Sequence, residues 1–174
     1  LGRQTGAGRT SLKSYYPVSG KNPPQQEPRI RRREAVAMFD RLYRRDIALK
    51  THQNRYVTAL NHQGGWRING LAQRLLGWEI FSLIYLSESH VALKTAHGRY
   101  VSASDEENRW HLYGGAERIL GWEVYELVEV EPGKIGFLTS HQRWVRVGAE
   151  ALGYPLLGDC PSPRPECLFS RVFL

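Results

Sequence analysis

A repeat of 44 residues organises most of this chain. The segment "IALKTHQNRYVTA" begins at Ile47, "VALKTAHGRYVSA" begins at Val91, and "IGFLTSHQRWVRV" begins at Ile135, so successive copies start 44 residues apart. Landmarks inside the copies keep this spacing, with an aromatic residue followed four residues later by glycine at Trp66 and Gly70, Trp110 and Gly114, and Tyr154 and Gly158. Three copies without an insertion between them indicate a repeat architecture.

The pattern inside each copy predicts strands. Apolar β-branched and aromatic residues alternate with polar residues and are interrupted by turn residues, which excludes helical repeats. In the first copy we expect strands at 47–51, 56–60, 66–69 and 79–86. A propeller needs about four blades to close, and only three copies are present. Three four-stranded copies fit an all-β β-trefoil, in which six strands form a closed barrel, without exposed edges, and the other six cap one end as hairpins.

The motifs of the copies resemble one group of trefoils. Each copy reads roughly I-x-L-x-T-x-x-x-R-[YW]-V, and the first two continue to "GWEIF" and "GWEVY". Over residues 46–174 this resembles the fascin-like group, which includes fascin and hisactophilin. The resemblance implies a β-trefoil that binds actin, although a single trefoil does not bundle filaments as the four domains of fascin do. Ricin-type lectins carry Q-x-W near the end of each copy, and no copy here ends in that motif.

The third copy departs from this pattern. Pro165, Glu166 and Cys167 replace the Gly-Trp-Glu of the first two copies. We therefore expect its fourth strand to be shortened.

The basic charge is concentrated before the repeats. The chain has a formal net charge of +7, yet residues 46–174 contain 13 basic and 14 acidic side chains. Residues 1–28 are rich in Gly, Ser, Pro and Gln and are predicted to be an extended low-complexity arm. Residues 29–45 are predicted to form a basic amphipathic helix, with an apolar stripe at Ala35, Met38, Phe39 and Leu42 that either docks on the trefoil or faces a partner.

The arginines of this N-terminal arm are the candidate binding residues. Guanidinium groups pair with phosphates and carboxylates, so the arm is expected to contact an anionic partner. The candidates are Arg3, Arg9, Arg29, Arg31, Arg32, Arg33, Arg41, Arg44 and Arg45. "RQTGAGRT" at 3–10 approaches the phosphate-binding loop G-x-x-x-x-G-K-[ST], but it lacks the first glycine, the lysine and the preceding strand. We interpret it as part of the arm.

No catalytic, metal or cofactor site is predicted. His52, His97 and His141 lie at or beside the tips of the first hairpins, where side chains usually face water. Glu79 and Glu123 recur with the fold and are expected to satisfy a backbone or arginine partner within their copies. No nucleophile stands beside a recognisable base. The repeated tryptophans, Trp66, Trp78, Trp110 and Trp122, are expected in the core.

The two cysteines are not expected to bind a metal ion. Cys160 and Cys167 are read as two free thiols, with one loop disulfide as the alternative. Zinc would need further ligands nearby, and there are none at finger-like spacing.

These observations predict a non-catalytic structural or interaction module. The favoured partner is a protein assembly with an acidic filament surface, actin or tubulin, to which the chain is an accessory subunit anchored by its arm. The alternative is an accessory subunit of a ribonucleoprotein, such as a mitochondrial ribosome, with the arm on RNA phosphates. No apolar run reaches the ~20 residues of a membrane span. An intracellular location is expected, with the cytoskeleton favoured over the mitochondrion.

Overall fold

The computed structural model describes residues 43–174, and the regular secondary structure of this part of the chain is almost entirely β-strand. Short 3-10 turns at His62–Gly64, Glu150–Leu152 and Pro165–Cys167 interrupt them. The strands are β1 (Arg44–Lys50), β2 (Tyr56–Ala59), β3 (Ile68–Ala72), β4 (Ile80–Tyr85), β5 (His90–Thr95), β6 (Tyr100–Ala103), β7 (Leu112–Ala116), β8 (Tyr125–Glu131), β9 (Lys134–Thr139), β10 (Trp144–Val147), β11 (Leu156–Cys160) and β12 (Phe169–Phe173).

Six of these strands form a closed antiparallel barrel. Around the ring β1 pairs with β4, β4 with β5, β5 with β8, β8 with β9, and β9 with β12. The ring closes where β12 pairs with β1, which places Phe173 opposite Ile47. The other six strands form three hairpins, β2–β3, β6–β7 and β10–β11. This is a β-trefoil of three 44-residue copies, which confirms the predicted fold.

The strand boundaries differ from the sequence prediction at the third strand. We predicted this strand at 66–69, but β3 runs from Ile68 to Ala72. Trp66 lies in the left-handed region with φ of 55°, which interrupts the extended backbone before β3. The predicted shortening in the third copy is confirmed, because β12 has 5 residues whereas the equivalent β8 has 7.

The predicted helix over 29–45 is wrong at its last two residues. Arg44 and Arg45 lie in β1, where they pair with Ile84 and Leu83 of β4. Pairing with a barrel strand outweighs the helical pattern of the local sequence, as tertiary contacts often do. Residues 1–42 of the predicted arm and helix lie outside the described residues.

The hydrophobic core follows the repeat. Four positions in each copy supply the side chains around the pseudo-threefold axis, and they enclose a space of only about 10 Å³. The barrel is therefore filled by side chains and has no channel along its axis. These residues are Leu49, Val57, Ile68, Phe81, Leu93, Val101, Leu112, Tyr125, Phe137, Val145, Leu156 and Phe169.

The aligned aromatic and glycine positions link the cap hairpins to one another. In each case an aromatic residue with positive φ offers its carbonyl oxygen to the backbone N–H of a glycine in the neighbouring copy. The donor–acceptor pairs are Gly70 to Tyr154, Gly114 to Trp66 and Gly158 to Trp110, at 2.7–2.8 Å. A Cβ atom at Gly70 would lie 2.9 Å from Cγ2 of the buried Thr51. Close packing therefore explains this glycine.

Residues 43–174 contain one fully buried phenol. Tyr125 is fully buried, and its hydroxyl donates a hydrogen bond of 3.2 Å to the carbonyl oxygen of Val101. Phe81 and Phe169 occupy the equivalent positions of the other copies. Burial raises the pKa of Tyr125 well above its usual value, and the negative charge of Glu123 raises it further. The phenol is therefore protonated in the folded protein throughout the neutral range.

This burial predicts a loss of stability at alkaline pH. The unfolded tyrosine ionises near pH 10, whereas the folded pKa is higher, so the contribution to stability is complete below pH 10 and falls above it. The slope approaches about 1.4 kcal/mol per pH unit for this group. Urea unfolding of the Tyr125→Phe variant between pH 9 and about 11.5 is expected to lack this slope, whereas Tyr113→Phe, at an exposed position, keeps it. Equal slopes in both variants would contradict the assignment.

Candidate interaction surfaces

Two equivalent surface loops connect a cap hairpin to the next barrel strand. We call residues 74–79 ("RLLGWE") and 118–123 ("RILGWE") the Leu-Gly-Trp loops. In the first, the buried Glu79 carboxylate accepts a hydrogen bond of 2.9 Å from the backbone N–H of Leu76. The carbonyl oxygen of Trp78 accepts another, of 3.0 Å, from Ala59. The loop is therefore held by its backbone, while 70% of Leu76 and 44% of Trp78 are exposed.

The second loop repeats this geometry. Glu123 accepts from the backbone N–H of Leu120 at 2.8 Å, and the carbonyl of Trp122 accepts from Ala103 at 2.8 Å. Leu120 and Trp122 are exposed to almost the same extent as their counterparts. The prediction that both glutamates satisfy a backbone partner within their own copies is confirmed. The expectation that the tryptophans belong to the core is wrong, because Trp78 and Trp122 are exposed. Trp66 and Trp110 are half-buried and lie outside the core cluster.

The third copy has no such loop. At the equivalent positions Glu166 replaces the tryptophan, and the buried Cys167 replaces the glutamate in the 3-10 turn Pro165–Cys167. Without the carboxylate, the hydrogen bond that shapes the other two loops is lost. The body therefore presents two apolar loops, one repeat apart.

A histidine ring packs against the tryptophan of each Leu-Gly-Trp loop. The His97 ring lies 5.2 Å from the Trp78 ring and 6.1 Å from the Trp66 ring, with Nε2 at 2.9 Å from the carbonyl oxygen of Ala59. His141 is placed in the same way between Trp122 and Trp110. The expectation that these histidines face water is therefore wrong, because both pack between tryptophans. His52 is exposed, and Gln53 is the true counterpart of His97 in the first copy.

Each Leu-Gly-Trp loop begins with an exposed arginine. Arg74 and Arg118 form no ion pair with any residue between 43 and 174. By contrast, Arg99 pairs with Glu117, and Arg146 makes a bidentate pair with Asp159. The loops thus combine a free cation with exposed leucine and tryptophan.

Only two of the predicted arm residues lie in the described part of the chain. Arg44 and Arg45 are exposed on β1, and Nε of Arg44 lies 3.3 Å from a carboxylate oxygen of Asp46. They pair with Ile84 and Leu83 near the end of β4, the strand that follows the first Leu-Gly-Trp loop. The remaining candidates, Arg3, Arg9, Arg29, Arg31, Arg32, Arg33 and Arg41, lie outside the described residues.

The cysteines are buried free thiols. Cys160 Sγ donates a hydrogen bond of 3.0 Å to the carbonyl oxygen of Ser162. Burial raises the pKa of Cys167 to about 12, so its thiol stays protonated and is a poor nucleophile or metal ligand. Within residues 43–174, no three His, Cys, Asp or Glu side chains are grouped closely enough to hold a metal ion. In the same range no helix has the length and apolar character that crossing a membrane requires.

Comparison with known proteins supports the fold. No protein-family model matches the chain, and no curated protein matches it. Among solved structures it is similar to the designed threefold-symmetric protein ThreeFoil, with 13% identity, a TM-score of 0.65, and coverage of 74% of this chain and 99% of ThreeFoil. It is also similar to SeviL bound to asialo-GM1 saccharide, with 9% identity, a TM-score of 0.60, and coverage of 74% and 96%.

A third similar structure is an exo-β-1,3-galactanase from Clostridium thermocellum. The identity is 10% and the TM-score is 0.65, over 75% of this chain and 30% of the galactanase. The chain therefore spans about a third of that enzyme. At these identities the likeness establishes the β-trefoil fold alone, and the fascin-like resemblance continues to rest on the sequence motifs.

Proposed function

We propose that this chain is a non-catalytic interaction module that binds an acidic protein surface through its two Leu-Gly-Trp loops. The observation that carries the proposal is the repeated exposure of Leu76 with Trp78 and of Leu120 with Trp122. Tryptophan and arginine are the residues most enriched at binding hot spots, and each loop supplies both. Exposed apolar side chains grouped in this way mark interaction sites on soluble domains.

The partner we propose is a cytoskeletal filament, actin or tubulin, of which the chain is an accessory subunit. The free guanidinium groups of Arg74 and Arg118 complement an acidic surface, and the arginines of the N-terminal segment add to this attraction. Two equivalent loops on one rigid barrel also suit a partner that offers repeated sites. The fascin-like motifs of residues 46–174 support actin in particular.

A non-catalytic role agrees with the chemistry of the described residues. The cysteines are buried, and the conserved geometry of Glu79 and Glu123 is used to hold backbone amides. Their carboxylates are buried and shape the loops.

The test is co-sedimentation of the full chain with actin filaments and, separately, with microtubules. Replacing Leu76 and Leu120 by alanine is expected to raise the dissociation constant about tenfold or more, because it removes exposed apolar area that the interface would bury. The matched control is Leu152→Ala, which alters a leucine that is 71% exposed on the cap hairpins. Its effect is expected to be less than about twofold.

The ribonucleoprotein alternative is an outcome of the same experiment. Binding of structured RNA that persists in the double variant and falls about 10³-fold or more between 50 and 200 mM salt would favour it, since phosphate contacts release counterions. Filament binding that is unaffected by the two leucine substitutions would contradict the proposed site.

A further inference from the structure

A broad depression opens on the cap face of the trefoil, around the pseudo-threefold axis. All three cap hairpins contribute to it, and its volume is about 640 Å³. This is within the range of sites that bind small molecules. The side chains that matter for its chemistry are Arg67, Asn69, Arg109, His111, Tyr113 and Pro155.

The charged side chains that line the depression are all basic. Arg67 and Arg109 are exposed, and neither forms an ion pair with another residue of the described range 43–174. No carboxylate of residues 43–174 lines the depression. The acidic residues nearest to Arg109 in sequence are Asp105, Glu106 and Glu107, and none of them lines the depression. One oxygen of Asp105 accepts hydrogen bonds from Asn108. Two unpaired guanidinium groups beside a histidine form a setting for phosphate or sulfate oxygens.

Arg109 occupies a backbone position that the other copies give to glycine. Its φ is 56°, and the equivalent residues are Gly65 with φ of 67° and Gly153 with φ of 77°. The fold therefore requires a left-handed residue here, which costs free energy for any residue with a Cβ atom. Strained residues of this kind concentrate at functional sites. The side chain of the strained residue, Arg109, lines the depression.

The lining also divides into a polar and an apolar side. Arg67 and His111 are replaced in the third copy by Pro155, and Asn69 and Tyr113 by Leu157. The Tyr113 ring lies over Gly115, where a Cβ atom would be 2.6 Å from the phenol oxygen. Glycine at position 115 therefore leaves room for the Tyr113 ring, which forms an aromatic side of the depression. The symmetric scaffold carries an asymmetric, amphipathic surface.

From these features we propose that the depression binds a small molecule that carries phosphate or sulfate groups. Arg67 and Arg109 hold the anionic groups, and Tyr113 with Pro155 contacts the less polar part of the molecule. This site is separate from the Leu-Gly-Trp loops and does not depend on the proposed filament binding.

The test is an NMR titration of the full chain, at physiological ionic strength, with inorganic triphosphate and in a second series with inorganic sulfate. Saturable shifts are expected at the backbone amides of Asn69, Tyr113 and Gly153. The Arg67→Ala and Arg109→Gly variants are each expected to weaken triphosphate binding about tenfold. Arg118→Ala removes the same charge from a Leu-Gly-Trp loop and is expected to change the affinity less than about twofold. The stronger of the two series identifies the anion.

Arg109→Gly also separates the site from a structural role. Because glycine removes the left-handed strain, this variant is expected to melt roughly 2–4 °C higher while it binds triphosphate more weakly. A lower melting temperature would contradict the argument from strain. Equal loss of affinity in all three variants, or shifts confined to residues 1–42, would overturn the site, because either result indicates general attraction to basic side chains.

Discussion

Replacing Phe169 by alanine is expected to lower the free energy of unfolding by about 3–5 kcal/mol. Phe169 is fully buried, and its ring centroid lies 5.9 Å from that of Phe137. It belongs to the ring of twelve side chains that fills the barrel, where little free space lies beside it. Truncation therefore removes apolar contacts and leaves a cavity that rigid barrel strands close only in part. Urea unfolding followed by tryptophan fluorescence measures the effect.

The matched control is Phe173→Ala in the same strand. Phe173 is 61% exposed, so its truncation is expected to change the free energy of unfolding by no more than about 0.5 kcal/mol. Both variants leave the backbone pairing between β12 and β1 intact. A cost for Phe173→Ala as large as that for Phe169→Ala would contradict the argument from burial, because the two side chains differ mainly in their exposure.

Gly136→Ala is expected to lower the free energy of unfolding by about 1–3 kcal/mol. A Cβ atom at this buried position would lie 2.8 Å from Cζ3 and 3.0 Å from Cε3 of the Trp144 indole. Trp144 is half-buried on the cap strand β10, so the clash forces either its indole or the backbone of β9 to shift, with a loss of packing. The control Gly121→Ala, where no heavy atom lies within 4 Å of the new Cβ, is expected to change stability by about 0.5 kcal/mol or less.

The other copies indicate how the clash is relieved. They place alanine and tyrosine where the third copy has Gly136 and Trp144, namely Ala48 with Tyr56 and Ala92 with Tyr100. The double variant Gly136→Ala with Trp144→Tyr should therefore be more stable than the sum of the single effects predicts, with a coupling energy of about 1 kcal/mol or more. Strict additivity in urea unfolding would mean that the two positions do not compensate each other.

The repeat was sufficient to predict the architecture. Three copies with strand-like alternation admit few closed arrangements, and the six-stranded barrel with three hairpins is the one observed. The start of β3 was not predictable from local pattern, because tryptophan is disfavoured in the left-handed conformation that Trp66 adopts. The carbonyl oxygen of Trp66 accepts a hydrogen bond from the backbone N–H of Gly114 in the next copy. A contact between copies of this kind cannot be seen in the pattern of one copy alone.

The candidate surfaces were less predictable. The repeated "LGWE" was visible, but tryptophan is so often a core residue that exposure of Trp78 and Trp122 needed the structure. The signal that sequence reasoning missed is the pairing of these tryptophans with His97 and His141, two residues that share one position of the repeat. The cap depression draws its lining from three copies, and its basic side combines different positions of the repeat. Its chemistry therefore emerges only after the hairpins assemble.

Pairing of the first barrel strand with the last has a consequence for biosynthesis. Residue Ile47 lies opposite Phe173, so the ring of strands stays open until nearly all of the described chain has left the ribosome. Adjacent copies can pair earlier, but until then β1 and β9 each lack the neighbour that β12 provides. An open sheet of this kind has unpaired edges, which are the sites where nascent chains aggregate. The edges of these two strands are therefore the last in the barrel to be protected during synthesis.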